Sequence, residues 1–328
     1  MEEEQQGTRT VEVDTVLCAY DFSETADVAL EQAQRFARRH EAKLVLAHVV
    51  EPIPLGPYPV LAPPSSELAM TDLARKRLDQ TVEALREEGT RVEPILREGE
   101  PGICLIELAK EIGADLVVVG TRGLSGFEHL ALGSTAEYVV RRSECAVLTV
   151  HPEDRLLRDA IESVVLPTDL SESALYAVEY FISLFGPWER PQVYLVYADR
   201  TPPYLQPFQH EILTKTNQPD IVKESIEAKL MPIADRLRKA DFPVEVAVLD
   251  GDPVEVTAEL AKECEADLVL LSTRGRSALL NVLFGRTAQR IVQQAPCPVL
   301  TVRPEPTVAD IEPGDEAEGQ AEREAAAD

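Results

Sequence analysis

The chain says most things twice. Val16–Ala37 is matched by Val164–Phe185, Glu98–Gly123 by Asp250–Gly275, and Ser143–Pro152 by Ala295–Pro304. The offset is 148 residues at the start and 152 later, so the second half carries four extra residues in between. A repeat of this length is a whole folding unit, not a solenoid module. Each half of a 328-residue chain can bury its own core without a disulfide or metal staple.

Within a repeat, short apolar runs alternate with helical patterns. In the first, residues 15–20 form an apolar run, and Asp21 and Ser23 are start signals for an amphipathic helix through Arg38. Further strands are expected at 43–50, 91–98, 115–120 and 146–151, with helices between them. Pro52–Ser65 and Pro202–Pro219 are proline-rich loops at corresponding places, suited to lids or partner surfaces. Leu116-Val117-Val118-Val119 has no polar alternation, the pattern of a strand covered on both faces of a parallel sheet. The order predicts an α/β fold: two tandem doubly wound parallel-sheet, Rossmann-like domains, each of about five strands with helices on both faces.

Composition narrows the partners. The formal net charge is −26, and the tail Glu305–Asp328, with nine acids and one arginine, accounts for −8 of it. Nucleic acid and anionic membrane surfaces are therefore not expected as partners. No apolar run is long enough to span a bilayer, and the acidic start is unlike a signal peptide, so the expected location is cytoplasmic. The five cysteines form no C-x-x-C pair and read as buried reduced thiols. Residues 1–10 and 305–328 read as disordered ends, the latter an acidic tail.

The stretch Gly120–Thr135 follows the fourth strand and opens a helix. Its glycines stand at 120, 123 and 133, with Ser134 and Thr135 after the last. Open α/β sheets bind ligands beyond the carboxyl ends of their strands. A helix start with glycine and hydroxyls suits an anion held by backbone N–H groups. Read alone, such glycines also mark ordinary turns, and Ser-Thr at a helix start also serves as a cap. No G-K-[ST] follows, so this is not a Walker A loop.

G-x2-G-x9-G-[ST], late in a repeat that opens strand–Tyr20-Asp21-Phe22-Ser23-Glu24–helix, resembles the universal stress protein family. The resemblance covers residues 11–151, a first domain with the complete glycine motif, and 160–304, a second with a degenerate motif. It implies an ATP site, with or without Mg2+, in the first repeat. There Asp21 would contact adenine, Val49 would back it, and Ala19 would form the pocket edge where the family usually has proline. Gly120, Arg122, Gly123, Gly133, Ser134 and Thr135 would hold ribose and phosphates. The second repeat keeps Asp169, Gly275, Gly285 and Thr287, but Ser272 replaces the first glycine and Arg286 replaces the serine. A Cβ at 272 is expected to block close approach, and Arg286 to stand where phosphate would sit, leaving this site weakened or lost.

The resemblance further implies pairing of the two domains through their last strands, as a pseudo-dimer, with homodimers and an unidentified protein partner as further association. The implied function is an ATP-binding stress-response or regulatory protein. No catalytic residue is legible, and slow ATP hydrolysis is the most the sequence accommodates. An ATP-using enzyme of the same fold and a scaffold without nucleotide stay open as alternatives.

Overall fold

A computed structural model describes residues 11–52, 64–123, 132–154, 160–186, 189–199, 221–273 and 284–304. The two expected proline-rich loops, apart from Pro52, Pro64 and Ser65, and the acidic tail lie outside them. The first repeat runs β1 (Thr15–Ala19), α1 (Glu24–Arg39), β2 (Lys43–Val50), α2 (Pro64–Glu87), β3 (Val92–Glu98), α3 (Pro101–Ile112), β4 (Leu116–Gly120), α4 (Ser134–Arg142) and β5 (Ala146–Val150). The second runs β6 (Ser163–Pro167), α5 (Glu172–Phe185), β7 (Gln192–Asp199), α6 (Ile221–Lys239), β8 (Val244–Asp250), α7 (Pro253–Glu263), β9 (Leu268–Ser272), α8 (Arg286–Gln294) and β10 (Val299–Val302). Helix α2 starts at Pro64, two residues inside the stretch expected to be loop. Proline's missing N–H and fixed φ suit a first helical turn.

All ten strands form one sheet in the order β3-β2-β1-β4-β5-β10-β9-β6-β7-β8. Neighbours within each repeat are parallel, and the β5–β10 junction is antiparallel. The order reverses direction between β1 and β4, and again between β6 and β9. One face is covered by α1, α2, α5 and α6, the other by α3, α4, α7 and α8. The unbroken apolar run of β4 reflects this: Leu116 and Val118 enter the first core, Val117 and Val119 the second.

Two aspartates tie the start of each repeat to its later strands. Asp115 Oδ2 accepts from the amides of Asp14 and Thr15 at 2.9 and 3.0 Å. Asp267 Oδ2 does the same for Glu162 and Ser163 at 2.8 and 3.1 Å. The backbone repeats its unusual torsions too: Phe22 and Leu170 have φ of 63° and 62°, Gly99 and Gly251 of 141° and 144°. All five cysteines are free thiols. Cys18 and Cys297 are buried as expected, whereas Cys104, Cys145 and Cys264 are only partly so. Burial raises the pKa of each thiol.

At the junction, Leu148 faces Leu300, and Val147 and Thr149 face Thr301 and Val299. Thr149 Oγ1 donates to Val299 O at 3.1 Å, and Thr301 Oγ1 donates to Val147 O at 3.2 Å. Both leucines are fully buried, in a core that runs across both repeats. An ion pair between Arg39 Nε and Glu189 Oε1 at 3.0 Å, with both side chains largely buried, adds a second tie between the repeats. Leu148→Ala and Leu300→Ala are each expected to cost about 2–5 kcal/mol in urea unfolding. Their double mutant should depart from additivity by about 0.5–3 kcal/mol. Strict additivity would mean that the two leucines do not share one core.

Candidate functional site

The local chemistry of the β1–α1 turn fixes the first acid. Ser23 caps α1, its side chain accepting from the Ala26 amide at 3.1 Å. The Ser23 amide and hydroxyl in turn donate to Asp21 Oδ1, at 3.0 and 2.5 Å. Asp21 Oδ2 then lies where a side chain at position 123 would go: a Cβ on Gly123 would stand 2.7 Å from it. A side chain at 123 is therefore excluded unless the carboxylate moves.

Gly133 closes the other end of the frame. Its amide donates to Thr121 O at 2.8 Å, and a Cβ there would sit 3.2 Å from the same oxygen. Gly133 is also the N-cap of α4, and no side chain caps it. By contrast Ser23, Glu100, Ser171 and Asp252 cap α1, α3, α5 and α7 through their side chains. Among the described N-caps, those of α4 and α8 lack a side-chain cap. The first-turn N–H groups and the helix dipole of α4 are thereby available to an anion.

All nine positions read from the first repeat, Ala19, Asp21, Val49, Gly120, Arg122, Gly123, Gly133, Ser134 and Thr135, line a single cavity of about 440 Å3. That volume is in the range of small-molecule sites. The sequence reading missed its apolar walls: Met70 and Ala74 from α2, Pro101 and Leu105 from α3. The i, i+4 spacing of Met70 and Ala74 was the available signal, but it reads equally as core. His48 also borders the cavity. Burial lowers its pKa, and its Nδ1 lies 2.7 Å from Tyr20 O, so Nδ1 carries the proton and donates.

Gly120 has a reason the sequence did not reveal. A Cβ there would meet Thr25 Cγ2 of α1 at 2.8 Å, so the glycine makes room for a neighbouring helix. In the second repeat Ser272 ends β9, buried, and Ser173, which has no Cγ2, occupies the helix position of Thr25. Asp169 follows β6 and accepts from the Ser171 amide at 3.0 Å, as Asp21 does from Ser23. Gly285 caps α8, with Arg286 exposed at its first position and Thr287 next. Gly275 lies outside the described residues.

A sequence model described as the universal stress protein family matches residues 12–151 and 160–303. The chain belongs to the universal stress protein family. A universal stress protein of Mycolicibacterium smegmatis is 28% identical over 306 residues, 88% of this chain and 97% of the relative. One from Thermus aquaticus is 35% identical over 137 residues, 42% of this chain and 97% of its own length. In fold, the chain is similar to the crystal structure of a universal stress protein from Archaeoglobus fulgidus, with a TM-score of 0.63, 19% identity, and coverage of 88% of this chain and 96% of that one. Membership supports a general stress-response or regulatory role for this universal stress protein. Among the described residues, no helix is long and apolar enough to cross a membrane.

The Thr25 contact makes a stability prediction. Gly120→Ala is expected to cost about 1–3 kcal/mol through overpacking. Most of that loss should return in the Thr25→Ser background, where the obstructing methyl is gone. Equal losses in both backgrounds, measured by thermal unfolding, would contradict the steric account.

Proposed function

We propose that the first repeat binds ATP and that the second serves chiefly as its structural partner. The observation that carries the reading is the convergence of the six glycine-motif positions with Ala19, Asp21 and Val49 on one cavity that includes the uncapped N-terminus of α4. In this reading the α4 dipole and Arg122 would meet the triphosphate. Asp21 would accept hydrogen bonds from the base, and Met70, Ala74 and Leu105 would offer it apolar surface.

Among the described residues no group of three His, Cys, Asp or Glu could hold a metal ion. A Mg2+ ion would enter on the nucleotide's own phosphates, keeping most of its waters. In the second repeat the exposed Arg286 stands at the helix position of Ser134, and Ser272 at that of Gly120, which supports a non-binding role there. Nucleotide occupancy in the first repeat would then be the signal that alters association with a protein partner or a second copy.

Isothermal titration of the intact chain with Mg-ATP tests this. Binding is expected, and Gly123→Val, which drives a side chain into the Asp21 carboxylate, should weaken it by at least roughly tenfold. Arg286→Ser should leave the affinity unchanged. ATP binding that is indifferent to Gly123→Val would sink the proposal. ATP turnover above a protein-free blank, lost in the same variant, would move the reading to an ATP-using enzyme.

A further inference from the structure

Phe22 sits between Asp21 and Ser23 in the left-handed region, with φ of 63°. A bulky side chain seldom adopts that conformation, and it persists only where the surroundings enforce it. The second repeat has the same torsion at Leu170, with φ of 62°, and enforces it with a hydrogen bond: the Leu170 amide donates to Thr168 Oγ1 at 3.1 Å. Tyr20 stands at the position of Thr168 and has no hydroxyl on its Cβ, so the first repeat cannot use that tie.

The first repeat uses rings instead. The Phe22 ring lies 5.1 Å from that of Tyr20, edge-on, and 4.5 Å from that of His48. Arg77 of α2 caps it, with Cζ 5.2 Å from the ring centroid. His48 is itself fixed by its hydrogen bond to Tyr20 O. The clamp thus joins the ends of β1 and β2 to the helix that also carries the cavity walls Met70 and Ala74.

We propose that Phe22 is a positioning residue for ligand binding, its ring clamp holding the left-handed turn that aims the Asp21 carboxylate at Gly123 and into the cavity. The inference rests on the ATP reading of that cavity. Phe22 touches no ligand in this account and acts only through Asp21. Leucine at the same position in the second repeat shows that a non-aromatic residue can occupy the turn, but there Thr168 supplies the tie.

The test is a double-mutant cycle on the full chain, read as the ATP dissociation constant by titration calorimetry, with thermal unfolding measured alongside. Phe22→Leu is expected to weaken ATP binding by roughly tenfold in the wild-type background and less than about twofold in the Asp21→Asn background. Phe22→Tyr, which keeps the ring, should bind as wild type. Equal losses from Phe22→Leu in both backgrounds, or no loss in the wild type, would overturn the positioning role while leaving the ATP reading intact. Absence of ATP binding by the wild-type chain would overturn the ATP reading and this inference together.

Discussion

Thr149 on β5 and Thr301 on β10 each reach across the junction to a carbonyl of the other strand, 3.1 and 3.2 Å away. The rest of the architecture depends on this antiparallel contact. It converts two five-stranded sheets into one of ten, covers what would otherwise be two apolar strand edges, and joins the cores on both faces. Because the junction is antiparallel, the carboxyl ends of the strands in the two repeats point in opposite directions. The cavity at the ends of β1, β2 and β4 and the corresponding region beyond β6 and β9 therefore lie at opposite margins of the sheet.

That arrangement gives the two copies different obligations. Each must supply a last strand, an aspartate tie and a left-handed turn after its first strand, and both do. At the frame positions described in both repeats, only the first has glycine at both, 120 and 133, with serine at the start of the following helix. The second repeat keeps the uncapped helix but places an arginine at its first position. Substitution of Gly120 by Ser272 goes with replacement of Thr25 by Ser173, so it is accommodated by packing rather than being damage to the fold.

The repeat, the strand and helix order and the buried character of β4 were legible in the sequence because each is written in local periodicity. Of the nine first-repeat positions, six stand in the spaced glycine motif and Ala19, Asp21 and Val49 came from the family resemblance; all nine line one cavity. What could not be read depends on contacts between distant segments. Asp115 reads as the first residue of the fourth strand, and its partners are about a hundred positions away. Gly120 looks like a ligand-approach glycine, yet its nearest constraint is a methyl of α1. Phe22 reads as an ordinary apolar residue, since no pattern in the sequence announces a left-handed torsion. Met70 and Ala74 read as core because a helix face turned toward a cavity has the same spacing as one turned toward a core.

On the proposed ATP reading, one chain carries one working nucleotide site, in the repeat with the complete frame. Freshly purified protein, saturated with Mg-ATP, freed of excess nucleotide by rapid desalting and then denatured by heat, should release about one adenine nucleotide per chain when assayed by chromatography with mass detection. Two per chain would contradict the account, because it would mean that Ser272 and Arg286 leave the second site working. None, with no ATP bound at saturation, would contradict it at its base and make the glycine frame a set of packing and turn residues.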